Sequence, residues 1–338
     1  MIKRIGFACK WTEIQGNKGI AVPELNNKTT TVAWLKRQSR GVAEQRLWDL
    51  MVHNISAAKA LVSRVGSLDP ELRMVRLGSD ILPVYTEPNY AYFYKDPAVR
   101  DYCEKHFAEV GEIGREHDVK LSFHPGQFCV LASERDDVVE RSIEEFEYHV
   151  DMARWMGYGK SWHDHGFKIN VHISGRRGPD GIRAALSKMS PEARNLITIE
   201  NEENAHGLDS ILALNDCCAL VLDLHHHWCH SGDYIERLDP RVQLIVGSWR
   251  GVRPTLHYSV SREDLLDPGV ADARPDFRSL IESGYKKAKL RAHSDFMWNR
   301  AVNAYAGSFL DEFDIMVESK AKNLASFALH EELKCLAG

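Results

Sequence analysis

The sequence has no long hydrophobic run, because charged residues interrupt every apolar stretch within about a dozen residues. It therefore offers no candidate transmembrane helix. The N-terminus, MIKRIGFACKW, also lacks the apolar segment and the small-residue cleavage site of a secretory signal. From these absences we expect a cytoplasmic protein without membrane contact.

Cysteines are few and do not form a pattern. There are seven, scattered along the chain, with one adjacent pair at Cys217 and Cys218 and no C-x-x-C motif. This usage predicts reduced thiols and argues against a disulfide framework or a zinc finger. No Ser/His/Asp or Cys/His set stands out either, so a side-chain nucleophile is not expected.

The composition is that of an ordinary globular protein. The 338 residues are 44% hydrophobic and 27% charged, which allows a substantial core. We expect one domain spanning 1–338, with loop insertions. The net charge of −5 argues mildly against nucleic-acid binding. Divalent ions bound by carboxylates would offset that charge locally.

Short apolar runs alternate with longer amphipathic segments along the chain. Helices are predicted at 44–65, 139–157 and 311–334. The predicted strands are KRIGFAC (3–9), MVRLGSD (74–80), VKLSFHPG (119–126), FKINVHIS (167–174), LITIENE (196–202), ALVLDLHHH (219–227), PTLHYSV (254–260) and KLRAHSDF (289–296). Eight strands separated by helical crossovers predict an α/β fold, a (β/α)₈ TIM barrel with a parallel sheet.

Metal-binding residue types recur at the C-terminal ends of the predicted strands. In a barrel those ends converge on one mouth, where active sites of this fold lie. Histidines and carboxylates together suit divalent ions and predict a metal cluster at this face. Any of His225, His226 and His227 could face it, since a turn after the strand breaks the alternation. The strand-end residues are His124, His172, Glu200, Asp223, His257 and His293.

The motifs resemble those of the UV-damage endonuclease family, in family order and over nearly the whole chain. They are RIGFAC (4–9), RLGSDILP (76–83), LSFHPGQF (121–128), INVHISG (169–175), IENEEN (199–204), LDLHHHW (222–228), LHYS (256–259), AHSDF (292–296) and DIMVESKAKN (314–323). The resemblance implies a TIM-barrel DNA-repair endonuclease that cuts the phosphodiester immediately 5′ to cyclobutane dimers, 6-4 photoproducts and some other lesions.

The resemblance also implies a cluster of two or three divalent ions, manganese above all, with zinc or magnesium as substitutes. Its D-x-x-H spacing selects His226 from the three histidines. Glu318 is included through the VESKAK match, although we expect it in the final helix. The implied ligands are His124, His172, Glu200, Asp223, His226, His257, His293 and Glu318.

Two positions depart from the family pattern. After the second strand the family usually has a histidine ligand, and Glu87 falls at about that position, so we add it to the predicted ligands. Two residues before His257 the family tends to have lysine, where this chain has Thr255. Metal stoichiometry or affinity would differ accordingly.

The resemblance places a wedge for the DNA duplex on the loop after the third strand. Gln127 and Phe128 stand where the family commonly has a Gln-Tyr pair. Phe7 and Trp11, near the end of the first strand, are further candidates for stacking against lesion nucleotides. Such inserted side chains read the deformability of a damaged duplex rather than its base edges.

We expect the chemistry to be performed by a metal-bound hydroxide held by His124, His172 and Glu200. The substrate would be damaged double-stranded DNA, bound by a monomer without an obligate protein partner. A metal-dependent sugar isomerase or epimerase could use the same barrel and ligands. The same residues would also suit a lesion-binding protein without cleavage, or an abasic-site endonuclease of the endonuclease IV type.

Overall fold

The fold is that of a computed structural model, which describes residues 2–16, 18–266 and 271–337. Short 3₁₀ turns occupy Pro23–Leu25, Pro70–Leu72, Phe93–Lys95, Asp164–Gly166 and Ser308–Asp311. The strands are β1 (Ile5–Ala8), β2 (Thr12–Gln15), β3 (Lys18–Ala21), β4 (Met74–Arg76), β5 (Lys120–Phe123), β6 (Lys168–His172), β7 (Ile197–Glu200), β8 (Ala219–Val221), β9 (Thr255–Tyr258) and β10 (Asp314–Val317). The helices are α1 (Val32–Leu35), α2 (Arg40–Gly66), α3 (Pro97–Glu116), α4 (Asp136–Trp155), α5 (Gly178–Lys188), α6 (Pro191–Leu196), α7 (Leu208–Leu212), α8 (Leu224–Ser231), α9 (Pro240–Ser248), α10 (Phe277–Glu282), α11 (Lys287–Leu290), α12 (Arg300–Gly307) and α13 (Asn323–Ala337).

Eight of these strands form one parallel sheet, which confirms the predicted TIM barrel. Their order is β8-β7-β6-β5-β4-β1-β10-β9. The two edges meet at a parallel bridge between Asp223 and His257. There the amide of His257 donates to the carbonyl of Leu222 at 2.9 Å. The barrel therefore closes at its C-terminal mouth, through two of the predicted metal ligands.

The eighth strand was predicted in the wrong place. Residues 287–290 form the short helix α11, and His293 lies in a loop with one antiparallel bridge to Ser261. The strand that completes the barrel is β10, whose four residues are all buried. These residues were predicted to belong to a final helix, because the helix-forming residues that follow DIMV hide its short apolar run. The last helix, α13, begins only at Asn323.

The other two predicted helices are confirmed, α2 for 44–65 and α4 for 139–157. They pack against a barrel whose strands are buried on both faces, as parallel strands under helices are. This burial explains why those strands appear in the sequence as short continuous apolar runs rather than as alternating patterns.

The N-terminal end of the barrel contains a buried ionic group. Asp314, which is fully buried, accepts from the Nζ of Lys120 at 2.9 Å and from the Nε of Arg253 at 2.8 Å. It also accepts from the backbone amide of Arg4 at 2.9 Å. Because a buried carboxylate is costly without partners, these contacts fix the start of β10 in the barrel.

Two features lie outside the barrel. Strands β2 and β3 form an antiparallel hairpin after β1, which the sequence analysis did not predict. The long segment between β9 and β10 includes residues 267–270, which lie outside the described residues. Its described part packs on the barrel's own helices, since Pro275 accepts hydrogen bonds from Trp228 and Tyr234. Within the described ranges, no helix is long and apolar enough to span a membrane.

Candidate metal centre

The carboxylate of Glu200 lies at the centre of the barrel mouth, at the end of β7. It is fully buried. One of its oxygens, Oε2, lies 3.6 Å from the Nε2 of His124, 3.6 Å from the Nε2 of His172 and 3.0 Å from the Nδ1 of His257. These histidines follow or belong to strands β5, β6 and β9. The barrel therefore brings residues that are 133 positions apart, 124 to 257, onto one carboxylate.

Two groups of potential ligands share Glu200. His124, His172 and Glu200 form one, and Glu200, Asp223 and His257 form the other, with the ligand atoms of each group within 4.8 Å of one another. Three of these atoms are buried without a hydrogen-bond partner, namely Glu200 Oε1, Asp223 Oδ2 and His257 Nδ1. Buried polar atoms are rarely left unsatisfied, and histidine with carboxylate is a donor set for divalent ions. The donor set thus fits a divalent metal ion.

His226 is the histidine of the HHH run that faces this centre. Its Nδ1 lies 3.4 Å from Glu200 and 3.8 Å from Asp223. Helix α8 begins directly after Asp223, whose Oδ1 accepts from the amide of His226 at 2.7 Å, so strand alternation no longer applies. His225 instead stacks on Trp228, and His227 lies beside Ser231. The choice made from the D-x-x-H spacing agrees with this geometry.

Glu318 and His293 complete the mouth. Glu318 follows β10 and does not lie in a helix, as had been expected; its Oε1 lies 3.2 Å from the Nδ1 of His257. It also forms a partly buried ion pair with Arg76, at the end of β4. His293 reaches the cluster from its loop, with its ring 6.5 Å from that of His226.

The protonation states of His124 and His257 suit metal binding, whereas the carboxylates around His226 outweigh its burial and raise the pKa of its imidazole, whose proton a bound cation would displace. Burial lowers the pKa of His124 to about 4, so its imidazole is neutral at physiological pH. Burial also lowers the pKa of His257. Although burial raises the pKa of Glu200, the histidines around it hold it well below its usual range. Burial raises the pKa of Asp223 to about 7, and a bound cation would favour its ionised form.

Several supporting residues were missed by the sequence analysis. Asn170 donates to Glu200, and its own Oδ1 accepts from Thr198 at 2.7 Å, which fixes the carboxylate. Asn201 holds the backbone of Asp223 through two hydrogen bonds. Arg76 neutralises Glu318. Their signal was present as polar residues inside or just after buried strands, which are costly to bury without a partner.

A lysine lies beside His257, but it comes from β6 and not from position 255 of β9, where the family tends to have one. Thr255 is buried in β9, and its hydroxyl has no hydrogen-bond partner. The Nζ of Lys168, on β6, lies 3.2 Å from the Nε2 of His257. Burial lowers the pKa of this lysine to about 7. Thr255 places no cation beside His257, and Lys168 of β6 provides one there instead.

Glu87 is not brought to the cluster. Its Oε1 accepts from Asn89 at 2.7 Å, and it lines a separate surface cavity with Tyr85 and Arg141. No contact between Glu87 and a cluster residue occurs within the described part of the chain. The chain passes His124 earlier, at Ser79, whose hydroxyl donates to the His124 carbonyl at 2.5 Å. The turns that follow carry Glu87 away, which corrects its prediction as a ligand.

The predicted DNA-contacting residues separate into two pairs. Phe128 is 85% exposed, beside the exposed Gln127, on the loop that follows His124. Phe7, in contrast, is fully buried and packs edge-to-face on Trp11 and Phe327. Trp11 is itself only 6% exposed. The prediction of Phe7 and Trp11 as stacking residues is therefore wrong, because α13 covers them.

Comparisons with known proteins identify relatives of this chain. The chain is 22% identical over 323 residues to a UV DNA damage endonuclease of Bacillus velezensis, and 23% identical over 326 residues to one of Bacillus cereus. In both cases 92% of this chain and 90% of the relative are covered.

Solved structures share the fold. The crystal structure of SacUVDE superposes with a TM-score of 0.74 at 21% identity and covers 99% of both chains. Endonuclease IV from Thermus thermophilus gives a TM-score of 0.51 at 13% identity, with 83% of this chain and 94% of that chain covered. The family model described as UV-endonuclease UvdE matches residues 3–338. The chain therefore belongs to the UV-endonuclease UvdE family.

Proposed function

We propose that this chain is a metal-dependent DNA-repair endonuclease that hydrolyses the phosphodiester immediately 5′ to UV photoproducts, both cyclobutane dimers and 6-4 photoproducts. The observation that carries the proposal is the pair of ligand groups that share Glu200 at the mouth of the barrel. The names of the relatives, UV DNA damage endonucleases, support the substrate.

We assign two or three divalent ions to the centre, with Mn²⁺ as the first choice and Zn²⁺ or Mg²⁺ as substitutes. When bound, such ions supply an activated water at neutral pH and neutralise charge on the phosphate. The ligands proposed are His124, His172, Glu200, Asp223, His226, His257, His293 and Glu318. The contacts of these residues with Glu200 or with one another support the assignment.

The chain's own residues would position and neutralise the site. Asn170 holds Glu200 in place, and Arg76 holds Glu318. The Lys168 ammonium beside His257 offsets part of the negative charge of the carboxylates. These contacts fix the side chains around the centre, and such preorganisation limits the reorganisation needed during reaction.

Phe128 and Gln127 would enter the damaged duplex. The ring of Phe128 is so exposed, on the loop after His124, that it contributes little to the stability of the fold. Beside it lies a cavity of about 590 Å³ lined by Arg135 and Arg141, which could receive an unstacked nucleotide. Inserting a ring costs less at a damaged step, which gives selectivity for lesions.

The setting is consistent with an enzyme that acts on DNA inside the cell. All seven cysteines are free thiols, including Cys217 and Cys218, whose sulfur atoms lie 3.8 Å apart. Free thiols are usual in the reducing cytoplasm. We infer that the enzyme works there on double-stranded DNA, as a monomer.

The test is a nicking assay on a labelled duplex that contains one defined photoproduct. Protein treated with EDTA is compared with the same protein after addition of Mn²⁺, and undamaged and abasic duplexes serve as controls. A Mn²⁺-dependent cut 5′ to the photoproduct is expected. Binding without a cut would instead identify a lesion-binding protein, and a cut only at the abasic site would identify an activity like that of endonuclease IV.

A further inference from the structure

Two lysines at the mouth of the barrel have no acidic partner. Lys10 follows β1 and Lys322 follows β10, and these strands are neighbours in the sheet. Neither ammonium takes part in a hydrogen bond or ion pair within the described residues. By contrast, the Nζ of Lys320 lies 3.4 Å from Asp295, and the side chains of both residues are more than half exposed. Lys10 and Lys322 are therefore cations without a counter-ion in the described part of the protein.

Lys322 lies close to the candidate metal centre. It is half-buried, and the charges that act on it include those of Arg76, Glu318 and Lys10. Arg76 and Glu318 neutralise each other in their ion pair. Burial, together with the nearby cations, lowers the pKa of Lys322. The two lysines thus leave an excess of positive charge beside a predicted metal ligand.

The backbone holds Lys322 in an unfavourable conformation. Its φ is +55°, in the left-handed region that residues other than glycine rarely adopt. Asn323 fixes the loop from one side, because its side chain accepts from the amide of Thr12 at 2.8 Å and donates to the Thr12 carbonyl at 2.9 Å. The amides of Lys320 and Ala321 fix it from the other side, by donating to residues 294 and 295.

The neighbouring loop is strained in the same way. Cys9, immediately before Lys10, has a φ of +71°, and its amide donates to the carbonyl of Arg76 at 2.8 Å. Strained residues persist where the surrounding contacts over-determine them, and they are concentrated at functional sites. Both unpaired lysines are therefore presented next to Arg76 by rigid loops.

We propose that Lys322, with Lys10 beside it, binds a backbone phosphate of the DNA strand, adjacent to the phosphate that is hydrolysed at the metal centre. The inference rests on the proposed function, since the anion expected at this mouth is a nucleic acid. Because the backbone of Lys322 is already fixed by these contacts, less conformational entropy is lost when its side chain binds an anion. Lys322 is accordingly a substrate-positioning residue, while Phe128 and Gln127 contact the duplex from a different loop, the one that follows His124.

The strain provides a test that separates binding from folding. Glycine suits a φ of +55°, so Lys322→Gly removes the charge and relieves the backbone. We expect its melting temperature to equal or exceed that of the unchanged protein. On the Mn²⁺-loaded enzyme, kcat/KM for nicking is expected to fall about tenfold, and the slope of log binding constant against log salt concentration to decrease by about 1.

Two variants serve as controls. Lys320→Met removes an equal charge two residues away, from an exposed position, and should leave both the nicking rate and the salt slope unchanged. Lys322→Arg keeps the charge and should retain most of the activity. These comparisons distinguish a contact with phosphate from a general effect of charge on the DNA.

The outcomes separate this inference from the proposed function. If the unchanged protein nicks damaged DNA and Lys322→Gly does so equally well, with the same salt slope, the inference is overturned and the proposed function stands. A Lys322→Gly variant that melts at a lower temperature would also overturn it, since Lys322 would then be structural. If the unchanged protein neither binds nor nicks the duplex, the proposed function fails and takes this inference with it.

Discussion

Replacing Glu200 by glutamine tests the metal centre at its most shared position. The substitution keeps the shape of the side chain and the hydrogen-bonding partners of one oxygen, and it removes one negative charge. Because Glu200 belongs to both ligand groups, a single change weakens both. We expect the protein to remain folded and to lose both metal affinity and nicking.

The structure indicates a large effect. The carboxylate is fully buried, has one oxygen without a hydrogen-bond partner, and lies within 3.6 Å of several histidine nitrogens. Removing even an outer partner of a ligand typically costs about 10–100-fold in metal affinity, so loss of this ligand should cost about 100-fold or more. If bound ions contribute about 4 kcal/mol to stabilising the transition state, nicking should slow about a thousandfold.

The assay compares Glu200→Gln with Glu202→Gln, a change of the same kind two residues away. The Oε1 of Glu202 accepts from the amides of Ala205 and His206 and supports only its own loop. Metal affinity is measured by titration of EDTA-treated protein, and nicking rates are measured at saturating Mn²⁺. Nicking by Glu200→Gln within tenfold of the unchanged rate, with metal affinity intact, would refute the assignment of Glu200.

Phe128→Ala should lower the preference for damaged over intact duplex about tenfold, since one aromatic–base stack contributes about 1–3 kcal/mol. Tyr92→Ala, which removes an exposed aromatic ring elsewhere on the surface, should leave this preference unchanged. If competition binding gave Phe128→Ala the same preference as the unchanged protein, the role of Phe128 as a wedge would be contradicted. Asp314→Asn should lower the free energy of unfolding in denaturant by about 3–5 kcal/mol, because Lys120 loses its buried partner. Adding Lys120→Met to this variant should recover part of that loss. If the losses of the two single variants simply added in the double variant, the ion pair would not be the source of the stability. Burial lowers the pKa of His163 to about 3, so its contribution to stability is complete above its ordinary pKa of 6.5 and is lost as the pH falls towards 3. The unfolding free energy should therefore fall by about 2 kcal/mol between about pH 7.5 and pH 5 because of this histidine. His163→Asn should not show this part of the pH dependence. An unchanged pH dependence in that variant would exclude His163 as its source.

The sequence was most informative where a polar residue ends a buried strand. His124, His172, Glu200 and His257 were recognised because each follows a short apolar run, and the barrel topology requires such ends to converge. The same rule failed at His293, which lies near the cluster but on a loop. A histidine that reaches the mouth from outside the sheet leaves no periodic signal.

Other errors have equally local causes. The strand β10 was hidden because four residues are too short a run to distinguish from the start of the helix that follows. Glu87 was placed by its distance along the chain, whereas the turns after β4 decide where that segment runs. The burial of Phe7 and Trp11 depends on α13, more than 300 residues later in the chain, and no local pattern reports such packing.

The bridge that closes the barrel also makes one amide a reporter of the metal centre. The amide of His257 donates to Leu222, across the seam between β9 and β8, while its imidazole and the carboxylate of Asp223 are predicted ligands on either side of that seam. An ion held by both residues would fasten the two edges together, so amide hydrogen exchange at His257 should slow as ions bind. Occupancy could then be followed at one backbone position, without DNA and without turnover.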